Sequence, residues 1–171
     1  ILVFQANIRI TSFYGIFDIQ TLPYWVSVLL SIFTLIVIIN SINLIDGING
    51  LSASVGILIS FTFGMWFLVT EQIVLAIIAF ALIGALVAFL KYNVTPAKIF
   101  MGDTGSLLVG ITCAILTIQF IELHRSLSME DYKVTAAPAV AIGVLFIPLF
   151  DTLRVFILRI LKGRSPMSPD R

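Results

Sequence analysis

Charged residues are scarce in this sequence, because Asp, Glu, Lys and Arg together make up only 11% of the 171 residues. Soluble globular domains carry about 25% charged and about 45–50% apolar residues, whereas 60% of this chain is hydrophobic. The charge deficit therefore excludes a water-soluble enzyme, a nucleic-acid-binding protein and a disordered linker, and it predicts a protein covered largely by lipid. The net charge of +1 indicates no particular partner.

Cysteine and histidine are nearly absent, with one residue of each. Cys113 lies in an apolar run and has no second cysteine to pair with, so an intrachain disulfide is excluded. The lone histidine, His124, is expected to be a solvated loop residue. The first residues carry neither a basic flank nor an initiator methionine, so we expect no signal peptide and interpret the chain as an internal piece of a longer protein.

Long apolar runs, by contrast, are abundant. A membrane span needs about 20 mostly apolar residues, and five segments qualify: about 22–42, 51–69, 73–90, 106–121 and 134–161. The fifth is too long for one straight span, so we expect one end to project into water or the helix to bend at Pro148. Residues 1–8 are interpreted as the tail of an upstream span. The predicted fold is all-α, a polytopic integral membrane helical bundle that forms a single transmembrane domain over residues 1–171.

Alternation of the spans places the connecting loops on two faces of the membrane. One face has the loops 43–50, 91–105 and 162–171, and the other has 9–21, 70–72 and 122–133. The basic residues near the span ends divide between the faces as Lys91, Lys98, Arg159, Lys162, Arg164 and Arg171 against Arg9, Arg125 and Lys133. The positive-inside rule therefore predicts that the first face is cytoplasmic.

The first cytoplasmic loop, NLIDGING (residues 43–50), has a polar residue at every third position. On a helical path this spacing would place Asn43, Asp46 and Asn49 on one face. A carboxylate at a membrane boundary is costly and usually faces a site or a water-filled cavity. A helix end followed by Asp-Gly and Asn-Gly turns explains the same residues, and the spacing alone does not separate the two interpretations.

The second cluster, FMGDTGS (residues 100–106), lies where the fourth span begins. Glycines at a helix N-terminus let backbone N–H groups approach an anion, which the helix dipole also favours. Asp103 could bind Mg²⁺ together with phosphate oxygens and water, and Lys91 and Lys98 could contact the phosphates. The alternatives are N-capping by Asp103 or Thr104 and a purely topological role for the lysines. Together the two clusters suggest a nucleotide diphosphate that meets a lipid-borne substrate.

Asp151 and Arg154 stand three residues apart in the fifth span, the spacing of a same-face ion pair. Charges within a span usually pair or line a cavity. A structural ion pair is the preferred interpretation, and the alternative is that Arg154 faces a lipid phosphate or a nucleotide.

A transporter or channel is the main rival function, in which the polar side chains Asn40, Asn43, Asp46 and Asp151 would line a path. That function predicts polar residues near the middle of several spans, yet spans two to four have almost none there. A non-catalytic scaffold would not explain the Gly-Asp-Thr-Gly-Ser motif beside lysines.

Two segments resemble signatures of the polyprenyl-phosphate N-acetylhexosamine-1-phosphate transferase family of integral membrane enzymes: NLIDGINGL (43–51) and NVTPAKIFMGDTGSLLVG (93–110). The stretch DTLRVFILRILKGRSPMSPDR (151–171) resembles the branch that uses UDP-N-acetylglucosamine or a close relative. That branch includes the initiating transferases of O-antigen, enterobacterial common antigen and wall teichoic acid. The phospho-N-acetylmuramoyl-pentapeptide transferases usually read NLTDGLDGL in the first loop, so the resemblance favours the N-acetylglucosamine branch.

The resemblance implies an enzyme that transfers N-acetylhexosamine 1-phosphate from a UDP-N-acetylhexosamine to undecaprenyl phosphate. The products are UMP and an undecaprenyl-diphosphate-sugar, which starts the synthesis of a cell-envelope polysaccharide. The implied cofactor is Mg²⁺, with Mn²⁺ as an alternative ion. The implied location is the bacterial inner membrane, with several spans in the lipid bilayer and the active site facing the cytoplasm, and the family pattern also allows a homodimer.

By the same resemblance, Asp103 matches the magnesium-binding aspartate and Asp46 the essential aspartate of the first loop, so both are predicted to be catalytic and metal-binding. Asn93 and Phe100 match the nucleoside pocket, with the ring stacking on uracil. Asn49 stands where relatives commonly have Asp, which makes a metal role doubtful and leaves a nucleotide contact open. The predicted substrate-binding residues are Asn43, Asn49, Lys91, Asn93, Lys98, Phe100, Gly102 and Arg154. Two family elements, an upstream Asp-Asp pair and a downstream histidine segment, are not in this sequence.

Overall fold

A computed structural model of the chain describes residues 1–15, 20–127, 132–134 and 136–163. Regular secondary structure in these ranges is helical: α1 (Tyr24–Ile45), α2 (Leu51–Val69), α3 (Ile73–Asn93), α4 (Gly102–Ser126), α5 (Ala137–Val144) and α6 (Phe146–Leu161). The predicted all-α membrane bundle is confirmed. The C-terminal part of the predicted cytoplasmic loop, residues 164–171 with Arg164 and Arg171, lies outside the described residues.

Four helices, α1 to α4, are long and apolar enough to cross a membrane, and the bent pair α5 and α6 adds a fifth crossing if it forms one span. Helix α4 extends beyond the predicted apolar run 106–121 at both ends. Its last turn continues into polar sequence, where Glu122 and Arg125 form an ion pair of 3.8 Å at helical spacing. The helix is therefore longer than the apolar run from which it was predicted.

The fifth predicted span is broken. Helices α5 and α6 are bent by 70° relative to each other, and the break falls at Leu145. The predicted bend is therefore present, but it falls three residues before Pro148. That proline lies in the first turn of α6, where its missing N–H group costs no hydrogen bond within the helix. With 16 residues, α6 is roughly 24 Å long.

Helices α1 and α4 run side by side and approach each other closely at Gly110. A Cβ atom on Gly110 would lie 3.0 Å from the Cα atom of Ile39, tighter than an ordinary side-chain contact, so glycine favours this close approach of the two backbones. Asn43 follows Ile39 by one helical turn, and Ser106 precedes Gly110 by one turn. The glycine contact therefore brings the C-terminal end of α1 next to the N-terminal end of α4.

Residues 1–8 form hydrogen-bonded turns, and the expected helical tail is absent from this described segment. The Gln5 N–H donates to the Ile1 carbonyl at 2.8 Å, but Asn7 has a left-handed φ of 52° that ends the turn. Further along, Ile10 packs on α1, where its N–H donates to Ser31 Oγ at 2.9 Å and its carbonyl accepts from Ser27 Oγ at 2.7 Å.

His124 is not a solvated loop residue, and that prediction was wrong. It lies in the last turn of α4 and is fully buried. Its ring stacks on Trp66 of α2 with 4.2 Å between centroids, and its Nδ1 lies 2.6 Å from the Phe120 carbonyl oxygen. The prediction failed because α4 continues past the apolar run and turns this residue towards α2.

Candidate functional site

The ends of α1 and α3 and the starts of α2 and α4 meet at one end of the bundle. We call this end, residues 43–52 and 91–106, the site face. The polar residues that the sequence singles out in its two motifs lie here, and the bonds among them are described in turn below.

The chain leaves α1 through consecutive turns. Helix α1 ends at Ile45, the Ile48 N–H donates to the Ile45 carbonyl at 3.3 Å, and the Leu51 N–H donates to the Ile48 carbonyl at 3.1 Å. Gly50 then takes a left-handed φ of 76°, which favours glycine, immediately before α2. Of the two interpretations that the spacing left open, the structure has the helix end followed by turns and not a single helical face for all three polar residues.

Asn43 ties the end of α1 to the first turn of α4. Its Nδ2 donates to Ser106 Oγ at 2.7 Å, and this hydroxyl donates to the backbone carbonyl of Asp103 at 3.2 Å. Ser106 is fully buried, so the link is shielded from solvent. The bond between Asn43 and Ser106 thus fixes the turn that carries Asp103.

The Asp103 side chain is exposed on the first turn of α4. The N-cap residue of this helix is Met101, and no side chain forms a capping hydrogen bond. The alternative in which Asp103 or Thr104 serves as the N-cap is therefore not what the structure has. Negative charge in a first helical turn is favoured by the helix dipole, and the carboxylate stays available for a ligand.

Asp46 is half-buried at the end of α1, and Ser52 orients its carboxylate. The Ser52 hydroxyl donates to Asp46 Oδ1 at 2.6 Å, and Ser52 itself is fully buried in the first turn of α2. One carboxylate oxygen is therefore held by the protein, while Oδ2 takes no part in this bond.

Asn93 is almost completely buried at the end of α3. Its Oδ1 accepts from the Gly50 N–H at 2.7 Å, and its Nδ2 donates to the Ile99 carbonyl at 2.9 Å. The side-chain amide therefore fastens the first loop to the segment between α3 and α4. Sequence reasoning expected a nucleoside contact at this position, and the structure places a backbone clamp there.

The remaining predicted residues of the site face are exposed, namely Asn49, Lys91, Lys98, Phe100 and Gly102. Asn49 Nδ2 lies 3.5 Å from Thr95 Oγ1, at the limit of a hydrogen bond. The Phe100 side chain is 69% exposed, so one ring face can receive a planar ligand. Gly102 has a left-handed φ of 67°, and a Cβ atom there would meet nothing within 4 Å, so its requirement is conformational and not steric.

The chemistry of the donors fits a magnesium ion. The carboxylates of Asp46 and Asp103 and the amide oxygens of Asn43 and Asn49 are hard oxygen ligands. In the described part of the chain, no three His, Cys, Asp or Glu side chains form a ligand group. Mg²⁺ commonly uses only one or two protein carboxylates and completes its octahedron with water and substrate phosphates.

Arg154 is not brought to the site face by any contact in the described ranges. It pairs with Asp151 at 3.7 Å, and the Arg154 side chain is 64% exposed. The predicted ion pair is therefore present.

The exposure of this pair predicts a small effect of its removal. An exposed ion pair contributes about 0.2–1 kcal/mol, so Arg154→Gln should lower the melting temperature by no more than about 4 °C and leave the transferase activity that the resemblance implies intact. The melting temperature and the activity are measured on the complete natural protein, with Asp151→Asn as the matched control. A folded but inactive Arg154→Gln protein would show that Arg154 has a role in activity beyond its ion pair with Asp151.

Ser52 and Ser106 hold the functional groups in place, and sequence reasoning did not select them. Ser52 continues the polar spacing of three residues beyond Asn49, and Ser106 closes the Gly-Asp-Thr-Gly-Ser motif. Both signals were visible in the sequence, but only the fold shows that the first serine bonds to Asp46 and the second to Asn43.

Comparison with known proteins identifies relatives of this chain. The sequence profile of glycosyl transferase family 4 matches residues 1–121. A "Probable undecaprenyl-phosphate N-acetylglucosaminyl 1-phosphate transferase" of Bacillus subtilis is 34% identical over 147 residues, which are 86% of this chain and 39% of that protein. A "Decaprenyl-phosphate N-acetylglucosaminephosphotransferase" of Mycolicibacterium smegmatis is 33% identical over 85% of this chain and 38% of its own length.

A "Phospho-N-acetylmuramoyl-pentapeptide-transferase" of Listeria monocytogenes is 40% identical over a shorter match of 94 residues, which are 55% of this chain and 29% of that protein. The chain thus spans less than half the length of the curated relatives that it matches.

Proposed function

The chain belongs to glycosyl transferase family 4, and on that premise we propose that its site face takes part in transferring N-acetylglucosamine 1-phosphate from UDP-N-acetylglucosamine to undecaprenyl phosphate. In this reaction a phosphate oxygen of the lipid bonds to the β-phosphorus of the UDP-sugar, the bond between the two phosphates breaks, and UMP leaves. Support for N-acetylglucosamine comes from the two relatives named for it, which match about 85% of this chain, against 55% for the pentapeptide transferase.

The observation that carries the proposal is the hydrogen-bonded frame of the site face. Ser52 orients Asp46, Asn43 fixes the turn that carries Asp103, and Asn93 joins the two loops. Phosphoryl transfer requires little covalent chemistry from the protein and depends mainly on positioning and charge neutralisation. Two acidic side chains on tied helix ends, beside exposed lysines, meet that requirement.

Each side chain has a role in the proposed reaction. Asp46 and Asp103 would hold a Mg²⁺ ion, and a bound ion would supply positive charge beside the diphosphate. Lys91 and Lys98 attract the anionic nucleotide to the site face. The exposed ring of Phe100 stacks on uracil.

Two further residues contribute without charge. The amide of Asn49 hydrogen-bonds to the edge of the base. Gly102, with no side chain at the start of α4, leaves the backbone N–H groups of this helix end open to the sugar phosphate.

A multi-pass membrane bundle gives this reaction a suitable location. The isoprenoid chain of the acceptor stays in lipid, while its phosphate meets a water-soluble nucleotide at the membrane boundary. We assign the site face to the cytoplasmic side of the bacterial inner membrane, following the excess of basic residues near its span ends. The product then starts a cell-envelope polysaccharide.

The rival function of a transporter has no comparable support. Several hydroxyl groups within the helices bond to backbone carbonyls of their own helix, as Ser41 does to Val37 at 2.7 Å and Thr117 to Cys113 at 2.7 Å. Such hydroxyls are satisfied locally and do not line a polar path.

The proposal is tested by following radiolabel from UDP-N-acetylglucosamine into undecaprenyl phosphate with the purified complete natural protein. We expect a lipid-linked product with Mg²⁺, and a loss of at least about 100-fold when EDTA removes the metal, because a bound ion supplies several kcal/mol of charge stabilisation. Mn²⁺ should restore part of the activity. Absence of a lipid-linked product with every UDP-hexosamine, from protein shown to be folded, would contradict the proposal.

A further inference from the structure

A second polar region lies at the opposite end of the bundle from the site face. Here residues 9–14 return across the end of α4, where the Thr11 N–H donates to Glu122 Oε2 at 3.0 Å and the Tyr14 hydroxyl donates to the Ile121 carbonyl. Arg125 donates to the Thr11 hydroxyl. These bonds hold the returning segment against α4.

A cavity of about 520 Å³ opens beside this segment and is lined by Tyr14, His124, Arg125 and Lys133 among others. None of its described lining residues is acidic. Glu122 pairs with Arg125 at 3.8 Å, whereas Lys133 is exposed and forms no ion pair within the described ranges. Burial, with the charge of Glu122, raises the pKa of Tyr14 to about 12, so this phenol brings no negative charge.

His124 supplies the second observation at this cavity. Its Nδ1 faces the Phe120 carbonyl oxygen and therefore carries a proton. Its Nε2 is buried and has no hydrogen-bond partner in the part of the chain that the structure describes. With the proton on Nδ1, Nε2 is a hydrogen-bond acceptor. A buried acceptor without a partner is costly, so an occupant of the cavity whose hydroxyl group donates to Nε2 would be favoured.

An apolar cavity of about 300 Å³ adjoins the polar one, and Ser12 lines both. It lies between α1, α4 and α5, with Phe33, Val37 and Leu145 in its wall. Thr34 also lines this cavity, and its hydroxyl group already donates to the Leu30 carbonyl at 2.9 Å. The surface of this second cavity is therefore apolar, and the Thr34 hydroxyl group is already hydrogen-bonded.

We propose that the two cavities form one binding site for an anionic glycerophospholipid of the surrounding bilayer. The lipid phosphate lies in the polar cavity near Lys133, a hydroxyl group of the headgroup donates to His124 Nε2, and an acyl chain occupies the apolar cavity. The order of the two cavities, polar at the end of the helices and apolar between them, is that of a phospholipid in a membrane. A basic residue beside a pocket between membrane helices attracts an anionic headgroup.

The charge of Lys133 provides the first test. Native mass spectrometry of the complete natural protein should show tighter binding of phosphatidylglycerol than of phosphatidylcholine with the same acyl chains. Because a basic residue near an anionic headgroup contributes about 1 kcal/mol, Lys133→Gln should weaken phosphatidylglycerol binding by about fivefold. Arg9→Gln is the matched control on the same end of the bundle, because Arg9 lines neither cavity, and it should bind normally.

The apolar cavity provides a second and independent test. Thr34→Phe should narrow it and weaken phosphatidylglycerol binding by at least about fivefold, whereas Thr62→Phe, on α2 and away from both cavities, should not. Equal binding of the two phospholipids would overturn the proposal. Displacement of phosphatidylglycerol by inorganic phosphate alone, or binding of undecaprenyl phosphate with exclusion of phosphatidylglycerol, would also overturn it. Because binding is measured directly, failure here leaves the proposed transferase function untouched.

Discussion

Asp103→Asn is expected to reduce transfer of N-acetylglucosamine 1-phosphate by about 100-fold to 1000-fold while leaving the protein folded. The substitution removes one negative charge and keeps the size of the side chain. Removal of a single electrostatic group from a site of this kind commonly costs about 10²–10³ in kcat. The Asp103 side chain is exposed and does not cap α4, so little stability depends on its charge. The measurement is the radiolabel assay on the complete natural protein, with the melting temperature recorded alongside.

The outcome separates a ligand-binding carboxylate from a structural one. Asparagine caps helices as well as aspartate does, so a role in helix structure alone predicts near-normal activity for Asp103→Asn. Glu71→Gln is the matched control, because Glu71 is an exposed acid in the hairpin at the other end of the bundle, and it should be fully active. Normal activity of Asp103→Asn would contradict the assigned role of this aspartate.

Asn93→Ala is expected to destabilise the protein by about 2–3 kcal/mol and to lower activity with it. The truncation removes the acceptor of the buried Gly50 N–H and the donor to the Ile99 carbonyl, and a buried polar group that loses its partner costs about 1–3 kcal/mol. The loop that carries Asp46 then loses its link to the segment after α3. Thermal melting of the complete protein should show a decrease of roughly 5–10 °C.

Asn93→Asp is the informative companion to this variant. It keeps an acceptor for the Gly50 N–H but loses the donor to the Ile99 carbonyl and brings a carboxylate into a buried position, so its loss of stability should be at least as large as that of Asn93→Ala. If Asn93 served only the nucleoside, both variants would raise the KM for the UDP-sugar without lowering the melting temperature. That pattern would contradict the clamp.

The helices were predictable because a bilayer imposes a simple requirement. Backbone groups in lipid must be satisfied within the segment, so the apolar runs 51–69 and 73–90 correspond to helices α2 and α3 to within three residues. The apolar runs do not predict how far a helix continues into the polar sequence beside them. For this reason the extension of α4 to Ser126, and with it the burial of His124, required the structure.

The candidate site was predictable in its residues and not in its geometry. The motifs locate Asp46 and Asp103 because acidic side chains beside glycines are rare in so apolar a chain. The spacing of Asn43, Asp46 and Asn49 left a single helical face open, but α1 ends at Ile45 and the following residues form turns. The spacing in the sequence cannot distinguish a helix from a series of turns, because a polar residue at every third position is compatible with both.

The sequence by itself determined that this protein is a helical membrane bundle and that its chemistry gathers at one end, because hydrophobic length and the placement of rare charges are local properties. Only the tertiary structure decided that Asn43 meets Ser106, that Asn93 clamps two loops, and that the fifth span breaks at Leu145. These features join residues far apart in the chain or depend on how α1 and α4 pack at Gly110. Contacts of that kind follow from the packing of the whole bundle, which no short stretch of sequence encodes.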